Sequence, residues 1–286
     1  MSTIWRHYGC NSNNLLIYVY CFANMSTMSS HTGSKINKLI LEWPKGTVST
    51  VRYLQSRGFS RKLLNKYKNN RWLAPLGHGA YTLFNDRVEW MGALYPLQEQ
   101  LDLDIHVGGK TALEMKGYAQ YLGDKISTVF LYGRPATKFP TWFKKHDWGV
   151  EIISAMTNLF PSGYNEGLSE YRERDYTVRI STPERAAMEM LYHVPSKVSF
   201  EESLLVMENL SSLRPLLVQN LLLNCNSVKV RRLFMYIAEK HAYPWVEQVD
   251  TSKVAFGQGN RSIVVHGMLD KKYKITVPRS SVEEPI

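Results

Sequence analysis

The chain has 286 residues, 44% of them apolar and 12% aromatic, enough to bury one or two real cores. That richness in large hydrophobes excludes a mainly disordered polypeptide. The formal net charge of +10 invites a polyanionic partner, either nucleic acid or an anionic membrane surface.

Residues 1–33 read as an N-terminal extension. Leu15 to Ala23 (LLIYVYCFA) follows Arg6 and His7 and faintly resembles a signal peptide. As a helix it is too short to span a bilayer. Met25 and Met28 then precede a Ser-rich stretch, as in a poorly ordered or loosely packed extension or an over-called start codon. The three cysteines, Cys10, Cys21 and Cys225, form no CxxC pair, and no His cluster has metal-ligand spacing. Neither a disulfide framework nor a metal site is indicated, and a reducing cytoplasm fits.

The charge is concentrated in residues 34–90. Eleven Lys and Arg stand there against three acids, a surplus of eight that leaves two for the rest of the chain. A basic module on a nearly neutral body suits nucleic-acid binding better than membrane attachment or general solubility. Ile36, Leu39, Ile40 and Trp43 recur at helical spacing, predicting a first helix ended by Pro44 and Gly46. Thr47 or Ser49 can cap a second helix that runs to Arg57, with Val51 and Leu54 inward and Gly58 closing it. Ser60 then opens a third, SRKLLNKYKNNRW, with Leu63, Leu64 and Tyr67 as its apolar stripe. Strands Trp72–Leu76 and Ala80–Phe84 around Gly77-His78-Gly79 make a hairpin. Two short helices joined at a glycine, the second basic and Asn-bearing, followed by a hairpin, are the pattern of a winged helix-turn-helix.

The chemistry expected of that pattern is DNA recognition. A helix fits the major groove, where Asn, Arg and Lys contact base edges. Arg61, Asn65, Lys68 and Asn69 are the candidates for this role. Thr47, Ser49, Arg52, Lys62, Lys66 and Arg71 suit phosphates, which position without specifying, and Ser60 at the helix start is counted with the DNA-binding residues. His78, at the wing tip, can touch backbone or minor groove. The competing reading is a solvated basic helix in a protein–protein module.

Residues 91–286 read as a mixed α/β body with a helical segment, an α+β architecture overall. A helix at Met91–Leu101 leads to a strand, DIHVG. Gly108-Gly109-Lys110-Thr111 opens a helix closed by Gly123. Strands are expected at Ile126–Tyr132, Gly149–Ala155 and Tyr176–Ile180. Ser181-Thr182-Pro183-Glu184 starts a helix into RAAMEMLYHV. Ser199–Val249 is mostly helical, and the end is a pair of strands about Leu269-Asp270-Lys271.

Several motifs fall short of their chemistry. GGKT lacks the glycine that a phosphate-binding loop requires where Asp104 stands. It is expected to be a tight turn with Thr111 capping and Lys110 in solvent. Glu114-Met115-Lys116 matches the E-x-K of nucleases, but a metal site needs carboxylates gathered on adjacent strands, and this triplet sits in a predicted helix. Gly257-Gln258-Gly259 reads as a loop. His193, His241 and His266 have no nucleophile signature beside them and read as surface or satisfied histidines. Trp142, Trp148 and Trp245 are expected in the core, and Lys144, Lys145, Lys271 and Lys272 in solvent. No cofactor is indicated.

From Ile36 to His193 the chain resembles the AbiEi antitoxin family, in the branch with its own N-terminal winged helix. The residues that carry the resemblance are KYKNNRWLAPLGHGAYTLFNDRVEW, GALYPLQEQLDLDIHVGGKTALEMKGYAQYLG, TVFLYGRPATKFPTWF and ISTPERAAMEMLYHVP. The resemblance implies a cytoplasmic, non-enzymatic autorepressor that binds inverted repeats ahead of its own operon. It also implies an antitoxin role for the body in a type IV toxin–antitoxin system. The partner would be an AbiEii-like, nucleotidyltransferase-type toxin, countered without need of a stable complex. An alternative is a nuclease-like or nucleotide-binding enzyme carrying a winged-helix targeting module.

Overall fold

A computed structural model describes residues 34–119 and 126–279. The N-terminal extension and the Gly123 helix end lie outside the described residues. The chain divides into two compact units after Glu42. Within the first, helix α1 spans Lys35–Glu42 and carries a Lys38–Glu42 ion pair one turn apart.

From Trp43 onward the elements follow in the order β1 (Ser49–Thr50), α2 (Val51–Ser56), α3 (Arg61–Asn69), β2 (Leu73–Gly77) and β3 (Ala80–Leu83). With α1 before them this is the order of a winged helix. The three strands form one sheet with β3 in the middle, antiparallel to both neighbours. Strand β1 gave no sequence signal, because two residues are too few to show alternation. Thr50, not Thr47 or Ser49, caps α2: its hydroxyl accepts the Tyr53 N–H at 3.2 Å. Gly58, at φ +82°, turns the chain out of α2 in a left-handed conformation that a side chain would resist. Leu54, Phe59, Leu64, Tyr67 and Leu73 are buried in this head.

The body is built on a five-stranded mixed sheet. Its strands are β4 (Ile105–Val107), β5 (Thr128–Gly133), β6 (Glu151–Met156), β7 (Leu168–Glu173) and β8 (Tyr176–Ser181), in the order β6-β5-β4-β8-β7. The central strand β4 runs parallel to β8 and antiparallel to β5. Helices α4 (Trp90–Glu99) and α5 (Gly109–Met115) flank β4 in sequence, and the short α6 (Thr141–Lys145) follows Pro140. The expected helix from Gly109 is cut short because Gly117, at φ +82°, reverses the chain just past Met115. Strand β7 was missed from sequence: charged residues alternate along LSEYRE, and neither face is fully buried.

Helix α7 (Pro183–Tyr192) is the centre of the body. Every residue from Glu184 to Leu191 is buried, with Arg185 paired to Glu189 inside and Glu184 paired to the exposed Arg214. Helices α8 (Phe200–Glu208), α9 (Pro215–Asn224) and α10 (Val228–Lys240) complete the helical segment. A small second sheet closes the chain with β9 (Arg261–Ser262), β10 (Met268–Asp270) and β11 (Ile275–Val277). Its hairpin turns at Lys271–Lys274 rather than at Leu269–Lys271, because Leu269 and Asp270 still pair with Thr276 and Ile275. Arg232, 1% exposed, pins this end by donating to the carbonyls of Phe256, Gly259 and Lys274. Trp142, Trp148 and Trp245 are buried, as the sequence suggested.

Candidate nucleic-acid interface

Helix α3 begins where Ser60 Oγ accepts the Leu63 N–H at 3.3 Å. Leu64 and Tyr67 turn into the head, while Arg61, Lys62, Asn65, Lys66, Lys68 and Asn69 are exposed. The chain reverses just beyond it at Arg71, whose φ is +57°. Between Trp43 and Asn85 there is no acidic side chain at all. Arg61, Lys62, Lys66, Lys68 and Arg52 accordingly have no carboxylate partner among the described residues. Ordinary surface cations are interspersed with acids that neutralise them; here the positive potential has nothing local to offset it.

Beside α3 lies a groove of about 630 Å³. Arg61 and Asn65 line it from α3, Arg52 and Gln55 from α2, and His78 and Tyr81 from the wing. The hairpin turn is His78-Gly79, and Gly79 takes φ +86°, which carries the exposed His78 out at the tip. The structure thus brings four of the expected residues, Arg52, Arg61, Asn65 and His78, to one groove. Ser60, Lys62, Lys66, Lys68, Asn69 and Arg71 are exposed on or next to α3 without lining it.

Thr47 and Ser49 are placed differently from expectation. They are 1% and 3% exposed, and their hydroxyls bond inward, to the carbonyl of Pro44 at 2.6 Å and to Gln100 at 3.4 Å. Ser49 belongs to β1 of the sheet, and Thr47 is tied into the turn before it. Gln55, Tyr81 and Trp142 line the groove and were not singled out from sequence. For Gln55 a signal existed: with Leu54 inward, Arg52 and Gln55 stand three apart on the outer side of α2.

The body has a separate polar cluster at β4. Glu189 Oε1 meets His106 Nε2 at 2.8 Å and accepts from Arg185 Nε at 2.9 Å. Its Oε2 accepts from Ser181 Oγ at 2.7 Å and from the Gly109 N–H at 3.1 Å. Burial alone would raise this carboxyl, but His106 and Arg185 outweigh it and hold the group at about 2. The adjoining cavity, about 30 Å³, has room for about two waters. Gly108-Gly109 here is a strand-to-helix turn as expected, but Thr111 is no cap. Its buried hydroxyl accepts the Phe130 N–H and donates to the Thr128 carbonyl. Lys110 pairs with Glu202 at 2.6 Å instead of standing in solvent. Glu114 lies in α5 as predicted, pushed above the usual carboxylate range by burial. Among the described residues no three His, Cys, Asp or Glu gather as a metal site would need. The half-buried His193 and His241 each hold a buried Nε2 with no partner among the described residues, while His241 also bonds the Leu204 backbone.

Helices, strands and hairpin in winged-helix order, followed by a mixed α/β sheet, define the class: a winged-helix protein of α+β architecture. Two family models narrow it. Residues 32–123 match the model described as the N-terminal domain of AbiEi antitoxin transcriptional regulators. Residues 126–278 match that of the transcriptional regulator, AbiEi antitoxin, of type IV toxin–antitoxin systems. The chain belongs to this AbiEi antitoxin family. The crystal structure of the RV2827C protein from Mycobacterium tuberculosis shares the fold, at 13% identity and a TM-score of 0.57 over 84% of this chain and 88% of that one. No curated protein matches the chain. No helix among the described residues is long and apolar enough to cross a membrane.

Proposed function

We propose that the protein is a DNA-binding autorepressor and the antitoxin of an AbiE-type pair, and that it acts by binding rather than by catalysis. Helix α3 enters the major groove of duplex DNA, with Arg61, Asn65, Lys68 and Asn69 at base edges and Lys62, Lys66 and Arg71 on phosphates. The wing, through His78, follows the backbone beside it. One winged helix reads only a short site, so two copies on inverted repeats ahead of the gene supply the specificity. The body counters an AbiEii-like toxin without a stable complex. The observation that carries the DNA-binding reading is the exposed face of α3, with four cations and two asparagines, in a segment free of acids from Trp43 to Asn85. The test is a gel-shift titration of the full chain against the DNA immediately upstream of its gene, with scrambled competitor and a salt series. Selective shifting that survives competitor supports the reading. Shifting that scrambled DNA abolishes equally reduces the head to an electrostatic anchor.

A further inference from the structure

The head and the rest of its unit are joined at more points than the connecting chain. Val48 and Ala80, from the winged-helix segment, are buried within the same core as the body sheet. The Val48 N–H donates to the Gly92 carbonyl at 3.2 Å. A Cβ on Gly92 would sit 1.7 Å from the Gly46 carbonyl, so α4 lies directly against that segment. The connection itself is pinned, since the Asp86 carboxylate accepts the Gly46 N–H at 2.7 Å.

Two of these contacts reach the groove. Gln100, just past α4, accepts the Thr50 N–H at 2.8 Å with its side-chain carbonyl. Thr50 in turn caps α2, so Gln100 fixes the turn from which α2 and its Arg52 and Gln55 project. At the other side, Trp142 of α6 touches the wing, where a Cβ on Gly77 would stand 3.1 Å from the tryptophan Cβ. Trp142 is itself held edge-on against Phe143, with ring centroids 5.8 Å apart. Gly77 immediately precedes the His78-Gly79 tip, and Trp142 forms part of the groove wall.

We infer that Gln100 and Trp142 are positioning residues for DNA recognition, bracing α2 and the wing so that α3 and the wing tip meet one duplex together. This rests on the DNA-binding reading above. A head held in its bound geometry avoids the ordering cost that a tethered head would meet on binding. Neither side chain needs to touch DNA for this effect.

The test uses the full chain on the duplex upstream of its gene. Gln100→Ala removes the acceptor for Thr50, and Gly77→Ala presses the wing away from Trp142. Each is expected to lower affinity about tenfold. The slope of log affinity against log salt should stay at the wild-type value, because no phosphate contact is lost. In a hydroxyl-radical footprint the wing-side protections weaken while the α3 protections remain. Gln100→Glu, which keeps an acceptor oxygen at the same reach, retains the wild-type footprint. If Gly77→Ala melts early, Trp142→Phe takes its place with the same readout. Wild-type affinity and footprint in Gln100→Ala and the wing variant would overturn the brace. Lowered affinity with a wild-type wing-side footprint would also overturn it, by making the residue a direct DNA contact rather than a brace. Absence of selective binding by the wild-type chain overturns the DNA-binding reading and the brace with it.

Discussion

Glu189 of α7 and His106 of β4 are joined inside the body by a contact of 2.8 Å, and Arg185, one turn before Glu189, completes a buried polar triad. Glu189 is 1% exposed and Arg185 5%. Removing the carboxylate leaves the guanidinium buried without its counter-ion, which typically costs about 3–5 kcal/mol. Glu189→Gln should therefore lower the unfolding free energy by about that amount in urea titrations at neutral pH. The carboxyl is depressed to about 2 from an ordinary 4.5. Its contribution is present above pH 4.5 and lost as pH falls toward 2. The wild type should lose stability in that window, and Glu189→Gln should show a flatter curve there. A variant as stable as wild type would mean the triad is not the tie it looks.

His193 sets an earlier acid limit. Burial first, and Lys229 second, push its imidazole down to about 4 from 6.5. Its ring sits among Phe130, Tyr132 and Tyr192, with centroids 5.1 to 5.7 Å away. A histidine that resists protonation when folded makes the unfolded state the better proton acceptor. Stability is then full above pH 6.5 and falls as pH drops toward 4. His193→Phe fills the same aromatic box without a titrating group and should remove this slope. Unfolding free energies at pH 7, 5.5 and 4 for both proteins settle it, and equal slopes would discharge His193 from the role.

How much of this was legible in the sequence depended on how local the cause was. Helix α3 follows from Ser60, the Leu64 and Tyr67 spacing and the Gly58 turn before it, all within a dozen residues, and it stands where expected. The wing is equally local, because its turn needs Gly79 at positive φ. By contrast Thr47 and Ser49 looked like free hydroxyls. The burial of Ser49 goes with β1 pairing to β3 thirty residues on and with Gln100 fifty residues on, while the Thr47 hydroxyl turns back to the Pro44 carbonyl. The buried charges of α7 were similarly hidden. In sequence, PERAAMEMLY carries a Glu, an Arg and a second Glu that solvent would welcome. Their partners His106 and Arg214 lie 83 residues before Glu189 and 30 residues after Glu184. Strand β7 shows the same limit, since its evidence is its pairing with β8 and not its own hydropathy.

Ser60 separates a structural from an electrostatic role in the recognition helix. Its hydroxyl accepts the Leu63 N–H, one of the donors a helix start leaves unpaired. Ser60→Ala should cost about 1 kcal/mol of stability. In a protein of this size that lowers the melting temperature by about 2–4 °C. If capping is its whole contribution, DNA affinity at a temperature where both proteins are folded stays at the wild-type value. An equal loss of affinity for the upstream and the scrambled duplex would show that Ser60 also donates to a phosphate.

Arg61 and Lys66 should fail in different ways when truncated. Arg61 opens α3 and lines the groove, whereas Lys66 is exposed away from it. A residue that reads a base edge contributes discrimination, and losing it costs about 1–3 kcal/mol against the preferred base only. Arg61→Ala should therefore bind its own upstream DNA more weakly while binding scrambled duplex nearly as before. A phosphate contact contributes to every sequence alike, so Lys66→Ala should weaken both duplexes by the same factor and lower the salt slope by about one. Gel-shift titrations of both variants on both duplexes, at two or more salt concentrations, give all four numbers. Exchanged phenotypes would rotate the docking of α3 about its axis. Two unaffected variants would remove this helix from the DNA interface.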